Sequence, residues 1–269
     1  MAVKRYSDFQ KVSNSINIEF IEYGLFCGTD WEYQDLKAPF TRLYLVLEGS
    51  AEIILQDRQV TIESGFAYIV PSNMNFSCRT PKYLKKLYVH FNGEQHYSTS
   101  IFDTVRDIMK LSIPLDRYNR FYTLLEEERR ESYWEIKGEY TALIYRFISK
   151  FENQCMHEVR VELTPDIIEL LSYMRQSLSA KIRTSDLANH LNISQSMLSK
   201  RFKSCTGISL KQYIQQQLIQ QAQVSLIGTN KSIKEIASDL KYEDALYFSR
   251  VFSQWVGESP STYRDKNRL

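Results

Sequence analysis

The sequence predicts an α+β protein in two parts. An N-terminal β-barrel with packed helices comes first. An all-α C-terminal domain follows, with two helix-turn-helix units joined by a linker helix. Three observations carry this reading. The first ninety or so residues alternate apolar and polar side chains with period two. The next stretch changes to a helical period. The last hundred or so residues then hold one pattern written twice, about fifty residues apart. A length of 269 residues suits about two domains.

The strands are expected at 17–23, 41–48, 51–55, 59–62, 66–70 and 84–91, where Val, Ile, Leu and Tyr alternate with polar residues. Turns are expected at 48–50, 56–58, 63–65, 71–73 and 92–93, where Gly, Pro, Asn, Asp and Ser collect. Short strands at regular spacing imply a barrel or sandwich of about residues 1–95.

From about residue 99 to 158 the period becomes helical. Ile136, Tyr140, Leu143, Ile144, Phe147, Ile148 and Phe151 fall on one face and must bury against something. One such helix packs on the barrel, and another either packs within the chain or pairs with a second subunit. The charged run from Leu124 to Ser132 reads as a solvated helix end. Thr164-Pro165 fits an N-cap followed by the first helical position, so the boundary is placed between residues 1–163 and 164–269.

The repeat closes the chain. One copy runs from Asp186 to Phe202 and continues to Gly207, Ser209 and Tyr213. The other runs from Glu235 to Phe252 and continues to Gly257, Ser259 and Tyr263. Leu187-Ala188 matches Ile236-Ala237, and Ser199-Lys200 matches Ser249-Arg250. Each copy reads as a helix, a tight turn and a second helix. Ser194 suits the N-cap of the second helix, whose Leu198 and Phe202 sit four apart on the buried side. Its other face presents Gln195, Ser196, Ser199, Lys200 and Lys203, with no apolar anchor. The second copy has one extra residue in its turn, at Lys241-Tyr242, and presents Ala245, Leu246, Ser249 and Arg250. Residues 210–227 between the copies have helical periodicity and no Pro or Gly. Such a helix would be about 27 Å long, the scale that separates two major-groove faces on one side of DNA. Two similar hairpins that merely pack into a bundle are the alternative.

The segment from about Leu170 to Arg264 resembles the DNA-binding domain of the AraC/XylS family of bacterial transcription regulators. The closing run from Tyr247 to Arg264 is nearly the family's signature. Two departures stand out: Gln217 where the family usually has Arg, and Lys241 where it usually has Gly. The strands at Leu45–Ile53, with Gly65 and Ile69-Val-Pro71, resemble the family's cupin-like effector barrel. The resemblance implies a cytoplasmic, sequence-specific regulator of double-stranded DNA. It also implies a homodimer and, for an activator, contact with RNA polymerase. Carbohydrate-related genes are the commonest biology it implies. The alternative is a stress or virulence regulator whose barrel only dimerises, and a cupin-type enzyme is the least favoured reading. Arg250 is placed where the family contacts a base edge, with Leu246 against a thymine methyl.

Charge agrees. From Thr164 onward there are 14 Lys and Arg against 9 Asp and Glu, and before it 20 against 23. The basic excess therefore lies in the proposed DNA-binding part. No cofactor is expected. His90, His96, His157 and His190 are scattered, and Asn73, Met74 and Asn75 stand where related barrels carry His, so a metal site is not expected. Trp31, Tyr33, Arg42, Tyr44, Tyr68 and Tyr88 give the barrel aromatic strands with a few polar groups, as a sugar or similar effector needs. The effector residues singled out are Arg42, Tyr44, Tyr68 and His90; the alternative is that the aromatics are core or β-propensity choices and His90 an ordinary strand histidine. Arg42 either points inward and awaits a partner or points outward to a surface carboxylate. No phosphate loop or nucleophile motif appears, Cys27, Cys78, Cys155 and Cys205 lack metal or redox spacing, and no apolar run is long enough for a signal core or a membrane span.

Overall fold

The computed structural model describes residues 16–95, 99–102, 105–127, 129–155 and 164–267. The chain divides into two compact units, Met1–His157 and Glu158–Leu269. The expected boundary at 163/164 adjoins residues outside the described ones, and His96 and His157 lie outside them too.

The N-terminal unit contains nine described strands: β1 (Ile16–Gly28), β2 (Tyr33–Leu36), β3 (Thr41–Ile54), β4 (Gln59–Glu63), β5 (Phe66–Val70), β6 (Phe76–Arg79), β7 (Leu84–Gln95), β8 (Thr99–Ser100) and β9 (Met109–Ser112). All pairings are antiparallel. One sheet runs β1-β7-β3-β5-β9. The far half of β3 leaves it to pair with β4 and β6 in a second sheet. One strand thus bends through both sheets, which gives the barrel its curvature.

That bend corrects an expectation. Residues 48–50 are not a turn but the middle of β3. Gly49 adopts φ +72°, and a Cβ there would meet the Tyr83 carbonyl oxygen at 2.1 Å. The glycine marks a bend rather than a chain reversal. Residues 92–93 likewise lie inside β7. A Cβ on Gly93 would meet Ile101 Cδ1 at 2.7 Å, so glycine is needed there for space. The barrel also runs past residue 95. Lys110 faces Tyr68 across the β9–β5 pair, where helical periodicity was expected. A four-residue edge strand is too short to reveal its period.

Strand parity separates two cores. On one face, Leu43, Leu45, Ala67, Ile69, Leu87, Val89 and Phe91 pack against helices α1 (Leu115–Glu126) and α2 (Arg130–Lys150). The stripe expected on α2 is buried from Ile136 to Ile148, with Phe151 half-buried at its cap. The charged run before it spans the end of α1 and the start of α2, and buried Ser132 donates a 2.6 Å hydrogen bond to Glu127. A short helix α3 (Glu152–Cys155) follows. On the opposite sheet face, Trp31, Tyr44, Val46, Tyr68, Val70 and Phe76 fill the barrel interior.

The C-terminal unit is all helical: α4 (Pro165–Ser177), α5 (Thr184–His190), α6 (Gln195–Thr206), α7 (Leu210–Gly228), α8 (Ile233–Asp239), α9 (Ala245–Val256) and α10 (Pro260–Asn267). Thr164 and Pro165 take the expected cap and first-turn positions of α4.

Candidate DNA-reading face and barrel interior

The duplicated residues of the C-terminal unit each close a helix or fill its core. Ser194 accepts a 3.2 Å hydrogen bond from the Met197 N–H, and Asp244 accepts one of 2.6 Å from the Tyr247 N–H. These caps start α6 and α9. Gly207 and Gly257 end them at φ +77° and +91°, where glycine meets no penalty. Ser209 and Ser259 then cap α7 and α10. Tyr213 lies 5.3 Å from Phe202, and Tyr263 lies 5.6 Å from Phe252, ring to ring. The repeated Gly, Ser and Tyr are therefore two caps and a ring contact made twice.

The two tight turns also match. The Ile193 N–H bonds to Ala188 O at 3.0 Å, and the Tyr242 N–H to Ala237 O at 2.9 Å. Asn192 and Lys241 both sit in the left-handed region, at φ +54° and +59°. Asn tolerates this conformation better than Lys does. The extra residue of the second unit is Glu243, which separates buried Tyr242 from the cap Asp244. The Tyr242 hydroxyl accepts a 3.0 Å hydrogen bond from Gln215 Nε2 on α7, so the second turn is tied to the linker helix.

The outward face of α6 presents Gln195, Ser196, Ser199, Lys200 and Lys203, all exposed. Met197 is also exposed, at 45%, so this helix does carry an apolar side chain near its start. It faces outward because Leu198 and Phe202 take the buried side of the helix. On α9, Leu246 is 77% exposed and Arg250 is exposed. Tyr247, at the position equivalent to Met197, is 48% exposed. The sequence reading missed both. Ala245 and Ser249 are half-buried, and the Ser249 hydroxyl donates to Ala245 O at 2.7 Å. Arg201, by contrast, is held by Asp166 at 2.7 Å and braces α4 against α6. His190 on α5 stacks on Tyr173 of α4 at 4.0 Å.

The barrel interior is chemically different. Arg42 is fully buried and faces inward with Tyr44, on the parity opposite Leu43 and Leu45. The outward alternative is therefore set aside. Its cross-strand partner is His90, and Tyr44 lies opposite Tyr88 on β7 and Tyr68 on β5. Two strand positions further on, Lys86 also points in, 1% exposed. The sequence reading missed Lys86, although its parity with Tyr88 and His90 was readable. The Arg42 guanidinium lies 5.0 and 5.2 Å from the Phe40 and Phe76 rings. Lys86 Nζ lies 3.5 Å from the Trp31 ring and 3.7 Å from that of Tyr44. Among the described residues, neither cation has a hydrogen-bond or carboxylate partner. Burial, followed by the nearby Arg42 charge, drives the Lys86 pKa well below its ordinary value. Leaving such an ion unpaired costs several kcal/mol, and a desolvated ring face returns only about 2 kcal/mol.

His90 Nδ1 meets Glu22 Oε2 at 3.2 Å, and its ring stacks on Phe40 at 4.8 Å. Burial pushes its pKa down to about 4, so the imidazole is neutral at pH 7. Burial likewise raises the Tyr44 phenol far above its usual range. Among the described residues no three His, Cys, Asp or Glu side chains gather as metal ligands would, and no helix is long and apolar enough to cross a membrane.

Residues 187–266 match a family model described as a helix-turn-helix domain. The Msm operon regulatory protein of Streptococcus mutans is 23% identical over 243 residues, which span 82% of this chain and 83% of that protein. The raffinose operon transcriptional regulatory protein RafR of Pediococcus pentosaceus is 30% identical over 106 residues. That match covers 39% of this chain but only 38% of RafR. Among solved structures, ToxT from Vibrio cholerae O395 aligns over 94% of this chain and 98% of its own, with 12% identity and a TM-score of 0.49.

Proposed function

We infer from its AraC-type helix-turn-helix pair that this chain is a DNA-binding transcription regulator that reads two short blocks of duplex DNA. One observation carries this reading. Two capped helices follow each other along the chain, the first with an exposed polar face and the second with exposed Leu246, Tyr247 and Arg250, and the two units are joined by the unbroken helix α7. At 19 residues, α7 is about 28 Å long, which suits successive major-groove faces.

Gln195, Ser196, Ser199, Lys200 and Lys203 read the first block. Ala245, Leu246, Ser249 and Arg250 read the second. Arg250 offers paired N–H donors to a guanine edge, and Leu246 offers an apolar contact to a thymine methyl. Ser249 contributes less, because its hydroxyl is already engaged within the helix. The genes it controls are carbohydrate-related, a reading supported by the sugar operon named for RafR. Residues 1–163 sense and dimerise, and residues 164–269 read DNA. An effector binds inside the barrel near Arg42, Tyr44, Tyr68 and His90. Exposed Tyr23 and Tyr133, 6.3 Å apart ring to ring, together with exposed Leu25 and Trp134 on the same two elements, support a homodimer through the N-terminal part. The protein acts in the cytoplasm as an activator in contact with RNA polymerase, and not as an enzyme.

Selection of binding sites from random duplexes by the full chain tests the core of this reading. Two short preferred blocks about one helical turn apart are expected. A single contiguous block would restrict reading to one unit.

A further inference from the structure

The barrel interior holds seven buried side-chain nitrogen and oxygen atoms that lack partners among the described residues. They are Trp31 Nε1, the three guanidinium nitrogens of Arg42, Tyr44 Oη, Lys86 Nζ and His90 Nε2. Five of them belong to N–H donors on Trp31, Arg42 and Lys86, which have nothing to accept their hydrogens. The buried charged and polar residues include Arg42, Lys86 and His90 but no Asp or Glu. Two cationic side chains thus gather where neither has a carboxylate partner among the described residues, while Glu22 at the rim meets His90 and Tyr88. The arrangement is ordered rather than diffuse. Arg42 and Lys86 lie on neighbouring strands, four positions apart along the ladder, with Tyr44 and Tyr88 paired between them. That offset is about 13 Å along the strands, so two long side chains can converge on one small molecule. Rings of Trp31, Tyr44 and Phe76 form the apolar walls around them.

We propose that the barrel is a receptor for a small oxyanion: a carboxylate- or phosphate-bearing molecule with a sugar-sized body. Its negative group lies between Arg42 and Lys86, drawing the Lys86 ammonium off the Trp31 and Tyr44 rings it now covers, and its body takes that place on the rings. The inference rests on the reading that an effector binds in the barrel, and it names the chemistry of that effector. A guanidinium presents a planar fork to two oxygens, and an ammonium adds a point charge. The Trp31 N–H and Tyr44 hydroxyl then meet ring hydroxyls. A neutral sugar would leave both cations buried and unpaired, so the site discriminates on charge.

Thermal unfolding of the full chain tests this with matched pairs: galacturonate against galactose, and glucose 6-phosphate against glucose. Inorganic phosphate serves as the bare head group. An anionic member at millimolar concentration is expected to raise the barrel's unfolding midpoint by several degrees, while its neutral counterpart leaves it unmoved. Lys86→Met and Arg42→Met are expected to remove that shift. In ligand-free protein each is expected to raise the midpoint, because a buried unpaired charge has gone. If a neutral sugar stabilises as well as its anionic partner, the receptor reading stands and the oxyanion inference falls. If no compound in either set moves the midpoint, both fall. A midpoint lowered by both substitutions in ligand-free protein also overturns the proposal, since the cations then serve the fold alone.

Discussion

The DNA-reading domain and the barrel interior use polar side chains in opposite ways. In the reading domain, Ser194, Ser209, Ser232, Asp244 and Ser259 each accept a backbone N–H at a helix start, so the polar groups finish the fold. Inside the barrel, Arg42, Lys86 and His90 are buried on strands whose backbone is already paired. They finish nothing in the sheet. The contrast teaches where dependence on another molecule lies. The reading domain is complete as a fold and keeps its free groups outside for DNA, whereas the barrel keeps its free groups within.

Acid should separate the two domains most strongly. His90 faces Glu22 from β1, Arg42 and Phe40 from around β3, and Lys86 and Tyr88 from β7. Its imidazole takes a proton near pH 6.5 when unfolded but only at about 4 when folded. The stability present above pH 6.5 is therefore lost as pH falls toward 4, by up to about 3 kcal/mol. In the reading domain, hydrogen bonds from Thr164 to Asp166 and from Ser232 to Glu235 hold those carboxyls below their usual range. Their contribution goes only in stronger acid. Urea unfolding at pH 7.0, 5.5 and 4.5, followed domain by domain, should show the barrel weakening first, and His90→Gln should flatten its slope. Simultaneous loss of both domains would break the contrast.

The next largest effect concerns the reading faces. Arg250→Ala should cost about 1–3 kcal/mol at the preferred site, measured by titration of labelled duplex. Ser196→Ala should cost less, because a lone hydroxyl discriminates bases softly. Equal losses would mean that the two units read alike.

The smallest effect tests the turns. Lys241→Gly relieves a left-handed residue that bears a Cβ and should stabilise by roughly 0.5–1 kcal/mol in urea unfolding. Asn192→Gly should change stability by only a few tenths of a kcal/mol, because Asn tolerates that conformation. A larger gain at Asn192 would reverse the comparison.

The reading domain was legible because it is written twice, and recurrence at fixed spacing marks caps and core together. The face of α2 was legible because it runs over several turns. The barrel was harder. Gly49 and Gly93 look like turn glycines, yet one permits a bend within a strand and the other gives room to Ile101. Sequence shows that a glycine is present but not which neighbour demands it. Strand β9 was missed because its partner, β5, lies forty residues away. Lys86 was missed because it stands beside Lys85 in a two-lysine run that reads as solvent-facing, and only its parity with Tyr88 and His90 argues otherwise.

Glu243 gives the molecule a sense of direction. It lengthens one turn and not the other, and the exposed side chains differ as well, so the two units are unequal copies in tandem, joined by one helix. A duplex site that suits them in one orientation presents the wrong block to each when turned around. Under the proposed reading of two blocks, a single bound protomer therefore points along the DNA like an arrow and needs no palindrome to set its direction.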